Sequence, residues 1–130
     1  MRPSDTVSME DLATREPIIS AQSTCPIHAA IQYILKNLDK PLTLAEIASQ
    51  VFLSPAYLST RFKQVTGENI AKFIYEKRMQ KAKHLLLSTQ DQVQSIALRC
   101  GYPSPAYFSA SFRRYYRKSP RELRRETEKE

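Results

Sequence analysis

The chain has 130 residues, of which 42% are hydrophobic, and its formal net charge is +7. This length suits one compact domain or two very small ones, and only two glycines argue against a loop-rich or nucleotide-cradling α/β protein. The basic surplus predicts a polyanionic partner such as DNA, RNA or an acidic membrane face, although charge alone also fits an ordinary soluble basic protein.

Nothing at the start of the chain has the basic-then-apolar pattern of a secretory signal, and no apolar run approaches membrane-spanning length. Cys25 and Cys100 are isolated, without a CxxC motif or a Cys/His cluster, which is typical of a reducing compartment. We therefore expect a cytoplasmic protein that does not bind membranes.

Residues 1–24 are polar, aperiodic and mildly acidic, which predicts a flexible tail or linker. From Pro26 onward the apolar residues recur with helical spacing and no segment alternates with period two, so the predicted fold class is all-α. The helix-patterned region, residues 25–130, is predicted to form the folded domain.

The first predicted helix runs from about Pro26 to Leu38, with Leu35 on its apolar face. Thr43 and Glu46 form a capping box for the second helix. The third helix starts at a Ser-Pro pair, the typical combination of a cap and a first helical residue, and stops at Gly67. Residues 25–67 thus form a first subdomain.

A long helix is predicted from about Glu68 to Ser88, as a linker over residues 68–88. Asp91 is expected to cap the next short helix, with Gln94 reaching back to it. Two further Ser-Pro pairs start the last two helices, so that residues 89–130 form a second subdomain and the chain has about seven helices.

The main signal is an internal repeat. The segment IASQVFLSPAYLSTRFK aligns with IALRCGYPSPAYFSASFRR, with one extra residue in the second turn. Beyond that insertion the offset is fifty residues, so that Ser59 matches Ser109 and Phe62 matches Phe112. A short helix, a tight turn and a second capped helix make a helix-turn-helix, and this chain has two related copies.

Residues from about 28 to 125 resemble the DNA-binding domain of the AraC/XylS family. The matching stretches are LTLAEIASQVFLSPAYLSTRFKQVTG, KRMQKAKHLL and IALRCGYPSPAYFSASFRRYYRKSPREL. The resemblance implies seven helices in two helix-turn-helix subdomains. It also implies sequence-specific transcription control, usually activation through contact with RNA polymerase, in a bacterial-type regulator.

The length of the predicted linker helix points to DNA independently of the family resemblance. A linker of about 20 residues is roughly 30 Å long, close to the distance of about 34 Å between successive major grooves on one face of B-DNA. One chain is therefore expected to insert two recognition helices into adjacent major grooves of double-stranded DNA.

The apolar stripes of the two recognition helices indicate which positions are free to contact DNA. The exposed positions match the base-contacting positions of the family, and the nearby basic residues are expected to contact phosphates. The predicted base-contacting residues are Ala56, Ser59, Thr60, Ala106, Ser109 and Ala110. The predicted phosphate-contacting residues are Arg61, Lys63, Arg113, Arg114 and Arg117.

Several residues depart from the family pattern. Many members have Arg, the commonest guanine reader, where this chain has Thr60 and Ala110, so we expect modest sequence discrimination and strong salt dependence. Phe52 stands where the second unit has a turn glycine, and a positive φ at this residue would cost about 1 kcal/mol. Arg117 replaces a family glycine near the end of the second recognition helix, so this helix is expected to end differently from the first.

Four further arginines are not expected to contact DNA. Arg78, which matches a family Arg, is expected to pair with a residue such as Glu46. The residues Arg121, Arg124 and Arg125 are interpreted as a solvated helix face.

No catalytic, metal or cofactor motif is present in the sequence, and we expect neither an enzyme nor a small-molecule pocket in this chain. Cys100 is interpreted as a small core residue, with a redox-sensing thiol as the alternative. The alternative to DNA binding is a helical protein-interaction module that kept the fold and lost specific DNA binding. A standalone regulator and the C-terminal part of a larger one are both compatible with the sequence.

Overall fold

A computed structural model describes residues 25–128, so the predicted tail at residues 1–24 lies outside the described residues. The described part contains seven α-helices and no strand, which confirms the all-α prediction. The helices are α1 (Pro26–Lys36), α2 (Leu44–Gln50), α3 (Pro55–Thr66), α4 (Ile70–Ser88), α5 (Val93–Arg99), α6 (Pro105–Tyr116) and α7 (Pro120–Glu128).

Within the described residues, the first compact unit comprises residues 25–37 and 42–73. It contains α1, α2, α3 and the first turn of α4, and α1 packs against both α2 and α3. The rings of Phe62 and Phe73 meet edge to face with centroids 5.3 Å apart, an arrangement that aromatic pairs favour. The fully buried side chains of this core include Ile27, Ile34, Ile47, Leu58 and Phe62.

The second unit comprises residues 38–41 and 74–128, so the boundary between the units falls inside α4. Its core is rich in aromatic side chains, and the ring of Tyr116 packs against that of Phe112 with centroids 4.7 Å apart and planes tilted by 49°. Tyr116 also donates a hydrogen bond to the Met79 carbonyl, which ties α6 to α4. The buried core residues include Met79, Ala82, Leu86, Ile96, Ala97, Cys100, Phe108 and Phe112.

The Ser-Pro pairs start α3 and α6 as the sequence predicts. The Ser54 hydroxyl accepts a hydrogen bond from the Tyr57 amide at 3.1 Å, and the Ser104 hydroxyl accepts one from the Tyr107 amide at 3.2 Å. In both helices the proline occupies the first turn, where its missing N–H is no loss. Both recognition helices therefore start with the same cap.

The predicted caps at the other helices hold only in part. The Thr43 hydroxyl accepts from the Glu46 amide, but the Glu46 carboxylate accepts from the Tyr33 hydroxyl at 2.7 Å instead of reaching back. Asp91 does not cap α5: the helix begins at Val93 without a side-chain cap. Helix α1 ends at Lys36 rather than Leu38, and Leu35, expected on its apolar face, is 42% exposed. Helix α4 starts at Ile70 rather than Glu68, because Asn69 Oδ1 accepts a hydrogen bond from the Lys72 amide and caps the helix there.

The turns of the two helix-turn-helix units have the same backbone conformation. Phe52 has a φ of 60° and Gly101 a φ of 86°, both in the left-handed region that favours glycine. At Gly101 a Cβ atom would lie 2.4 Å from the Leu38 carbonyl oxygen and 3.0 Å from the Arg78 guanidinium, so only glycine fits. Phe52 is 93% exposed and carries its side chain into solvent, at the cost of backbone strain.

The recognition helices also end alike, so the expectation that Arg117 changes the end of α6 was wrong. Gly67 has a φ of 87° and its amide donates to the Lys63 carbonyl at 2.8 Å. Arg117 has a φ of 67° and its amide donates to the Arg113 carbonyl at 2.7 Å. The hydrogen bond is the same in both, and Arg117 adopts the left-handed conformation despite its Cβ.

Two arginines bind backbone carbonyls, against their predicted roles. Arg78 does not pair with Glu46; its guanidinium donates to the carbonyls of Leu38 at 3.2 Å and Lys40 at 2.7 Å. Arg124, predicted to be solvated, donates to three carbonyls around the end of α4 and the loop after it. Its acceptors are the carbonyl oxygens of Leu86 at 3.1 Å, Thr89 at 3.1 Å and Asp91 at 2.6 Å.

We predict that Phe52→Gly stabilises the protein by about 1 kcal/mol, because it removes the strain of a left-handed non-glycine residue and loses no buried surface. The measurement is the free energy of unfolding in urea. Phe52→Ala is the matched control: it keeps a Cβ at positive φ and should recover none of this energy. Equal stability of both variants would show that the turn is not strained.

Candidate nucleic-acid interface

In the first unit, helix α3 buries one face and exposes the other. Leu58 and Phe62 are fully buried, which fixes the rotation of the helix about its axis. The predicted base-contacting residues Ala56 and Thr60 are exposed, and Ser59 is half-buried between them and the core. The structure therefore brings these three residues onto one accessible face of α3.

In the second unit, helix α6 has the same orientation relative to its own core. Phe108 and Phe112 are fully buried. Ala106 and Ala110 are exposed, and Ser109 is half-buried, as Ser59 is in α3. The two helices have 12 residues each, and equivalent positions have the same degree of exposure except at one pair, where Arg61 is exposed and Ser111 is buried. The internal repeat of the sequence is therefore also a repeat of surface exposure.

The predicted phosphate-contacting residues are all exposed. In the first unit, the Arg61 guanidinium donates to the Gln64 side-chain carbonyl at 3.2 Å, and Lys63 lies in the last turn of α3. In the second unit, Arg113 has a side chain that is 66% exposed and lies 4.0 Å from the Glu122 carboxylate. Such an exposed, long ion pair contributes little to stability and leaves the guanidinium available to another anion.

Three arginines of the second unit surround one of the predicted base-contacting residues. Arg113, Arg114 and Arg117 line a shallow depression of about 420 Å³ together with Ala110. The depression carries positive charge beside a small apolar side chain, with no carboxylate among its lining residues. This chemistry suits a phosphate backbone that passes beside a base edge.

Sequence reasoning missed one matched pair of residues on these helices. Tyr57 is 54% exposed and Tyr107 is 59% exposed, each at the third position of its recognition helix. The fifty-residue offset of the repeat pairs these two tyrosines and was the signal that could have found them. A tyrosine hydroxyl can donate to a phosphate oxygen, so both belong with the candidate interface.

The second unit is held by local interactions that also set the ionisation of its groups. Ser119 and Glu122 form a reciprocal cap of α7, with the Ser119 amide donating to the Glu122 carboxylate at 2.8 Å and the Glu122 amide donating to the Ser119 hydroxyl at 3.1 Å. The hydrogen bonds from the Ser119 backbone and side chain lower the pKa of Glu122. Tyr75 donates to the Ser111 carbonyl, and burial raises the pKa of Tyr75. These groups keep their ordinary charge at neutral pH.

The described residues contain no group of three or more His, Cys, Asp and Glu side chains that could hold a metal ion. No helix within residues 25–128 combines the length and the apolar character needed to cross a bilayer. Cys100 is fully buried, and this burial raises the pKa of its thiol to about 11. Its surroundings are those of a core residue rather than a reactive thiol.

Comparisons with known proteins agree with this geometry. Residues 47–126 match the family model of a helix-turn-helix domain. The chain is 35% identical over 95 residues to the xylose operon regulatory protein of Escherichia coli. The aligned region covers 73% of this chain and 24% of that protein. It is 39% identical over 79 residues to the transcriptional activator RhaS of Klebsiella pneumoniae, covering 61% of this chain and 28% of RhaS.

Solved structures give the same result. The C-terminal domain of the response regulator AraT from Geobacillus stearothermophilus superposes with a TM-score of 0.75 at 38% identity, covering 78% of this chain and 85% of that one. The DNA-binding domain of AdpA, solved with a target DNA, has a TM-score of 0.74 at 26% identity, covering 78% and 91% of the two chains. This chain belongs to the AraC/XylS family.

The chain therefore carries a helix-turn-helix domain of the AraC type. The chain spans about a quarter of the length of these two relatives, 24% of the xylose operon regulatory protein and 28% of RhaS.

We predict that Cys100 resists alkylation in the folded AraC/XylS domain. A thiol with a pKa of about 11 is ionised in about one molecule in a thousand at pH 8, and the thiolate is the reacting form. Iodoacetamide should label the partly exposed Cys25 first, and label Cys100 only on unfolding in denaturant. Mass spectrometry of peptides would detect the order, and rapid labelling of Cys100 in the native protein would contradict the prediction.

Proposed function

We propose that the chain binds double-stranded DNA sequence-specifically by placing α3 and α6 in adjacent major grooves. The observation that supports this is the matched exposure of two recognition helices, each with the same Ser-Pro start and the same left-handed end. The continuous helix α4 carries residues of both units and, at 19 residues, is about 28 Å long. That length is compatible with two major grooves about 34 Å apart.

The exposed side chains imply a particular mode of recognition. In this proposal, Ser59, Thr60 and Ser109 supply hydroxyls that bind base edges, while Ala56, Ala106 and Ala110 offer methyl groups to thymine. Neither helix presents an arginine to a base at these positions. The affinity then comes mainly from phosphate contacts and DNA shape, and the phosphate-binding residues are Arg61, Lys63, Arg113, Arg114 and Arg117.

The proposed biological role is transcription regulation in the cytoplasm, with activation through RNA polymerase as the expected direction. Support for activation comes from relatives, since RhaS is described as a transcriptional activator. The chain supplies the DNA-binding step, and we propose no enzymatic activity, cofactor or small-molecule ligand for it.

Selection of bound sites from a random DNA library would test this function. We expect two short motifs whose centres lie about 10 bp apart, because each recognition helix reads one major groove. Titrations of the selected site at several salt concentrations should give a log–log slope steeper than about three, from the phosphates that the basic residues neutralise.

A shallow slope, or no salt-sensitive binding to any duplex, would contradict the proposal and favour the helical protein-interaction module. A single motif instead of two would show that only one of the helix-turn-helix units reads DNA.

We predict that Thr60→Arg introduces guanine recognition at one position of the selected site. Arginine binds O6 and N7 of guanine with two hydrogen bonds, which gives about 1–3 kcal/mol of discrimination against other bases. Repeating the site selection with this variant would show a new guanine in the motif of the first unit. Ala110→Arg should do the same in the other motif.

Leu35→Arg adds the same charge at an exposed position of α1 and is the control. If it sharpened the motif as much as Thr60→Arg, the gain would come from charge rather than from base recognition.

A further inference from the structure

A groove of about 600 Å³ lies in the second unit, outside the recognition helix α6. One of its sides is the start of α5, at Gln92, Val93 and Gln94, and the other is α7. The side chains that α7 contributes are Arg121, Arg124, Arg125 and Glu128. The groove thus has three guanidinium groups and one carboxylate in its lining.

Two of these arginines form no hydrogen bond or ion pair within residues 25–128. Arg124 donates to three carbonyls, so its role is structural. Arg121 and Arg125 are exposed, and among the described residues the only charge interaction of either is that of Arg125 with Glu122, which helps to lower the pKa of that carboxyl. They are four residues apart on one face of α7, where two like charges repel each other. A bound anion would relieve that repulsion.

The nearest acidic residue on the α5 side is already in an ion pair. The Asp91 carboxylate accepts a hydrogen bond from the Arg99 guanidinium at 2.8 Å. This ion pair, whose side chains are about half exposed, offsets part of the negative charge that opposes an anion at the start of α5. The electrostatic character of the groove is therefore set by Arg121 and Arg125, with Glu128 as its only lining carboxylate.

We propose that Arg121 and Arg125 bind backbone phosphates of duplex DNA, as a contact separate from those made by α6. The helix α5 is the first helix of the second helix-turn-helix, and in such motifs the first helix crosses the DNA backbone. A groove formed by the start of that helix and two free guanidiniums is placed to receive those phosphates. This inference rests on the proposed function, and it predicts phosphate contacts that carry no sequence information.

The test compares Arg121→Gln/Arg125→Gln with the unchanged protein on the selected DNA site. We expect the log–log salt slope to fall by about two, since each lost phosphate contact removes about 0.9 from the slope. The base preferences in the selected motif should stay the same. In phosphate-ethylation interference, the positions that flank the second motif should become insensitive to ethylation in this variant.

Two control variants make the result specific. Arg121→Lys/Arg125→Lys keeps both charges and should keep most of the slope, because lysine binds phosphate as a point charge. Lys36→Gln/Lys72→Gln removes two exposed charges elsewhere and reports the general effect of net charge. Thermal melts confirm that each variant is folded, and Arg121→Gln alone, with an expected slope change of about one, serves if the double variant is not.

The inference is overturned if the double glutamine variant lowers the slope no more than the lysine-to-glutamine control, or if its ethylation pattern is unchanged. It is also overturned if the double lysine variant loses as much slope as the double glutamine variant, since the effect would then be structural. Failure of the unchanged protein to bind any duplex contradicts the proposed function instead.

Discussion

The left-handed turn between the two helices of each helix-turn-helix is the constraint on which the interface depends. In both units the third residue after the first helix donates back into that helix: the Leu53 amide to the Ala48 carbonyl at 3.0 Å, and the Tyr102 amide to the Ala97 carbonyl at 2.9 Å. This hydrogen bond requires a positive φ at the preceding residue, which is Phe52 in one unit and Gly101 in the other. The turn directs the chain into the next Ser-Pro cap, and the cap starts the recognition helix.

The same backbone solution therefore occurs twice with different side chains. Gly101 is enforced by the close Leu38 carbonyl and the Arg78 side chain, whereas the left-handed residue of the first unit carries a phenyl ring into solvent. Arg117 shows the same tolerance at the end of α6. Local strain of about 1 kcal/mol at each position is small beside the burial of the core phenylalanines, so tertiary packing determines the backbone. Sequence departures from glycine thus do not predict departures in conformation.

The sequence predicted the elements that depend on local chemistry. Apolar periodicity and the Ser-Pro pairs were enough to place α3 and α6 and to identify their exposed faces, because caps and helix periodicity act within a few residues. Prediction from sequence failed where a side chain could form a hydrogen bond or ion pair with more than one partner. Asp91 was free to cap α5 or to pair with Arg99, and Glu46 was free to reach back or to accept from Tyr33. Tertiary placement settles such choices, and it is not encoded in spacing.

Arginine illustrates why charge could not be converted directly into an interface. The guanidiniums of Arg78 and Arg124 donate hydrogen bonds to five backbone carbonyls of the second unit. Each guanidinium has several N–H donors in one plane, so it can bind carbonyls at helix ends and in loops that have no partner within a helix. These two residues contribute to the net charge of +7 while serving the fold. The arginines that we propose to contact DNA, such as Arg121, are distinguished by the absence of such acceptors rather than by their position in a basic run. Fewer basic residues are therefore available to DNA than the net charge suggests. Those that are available are exposed and do not bind backbone carbonyls of the domain.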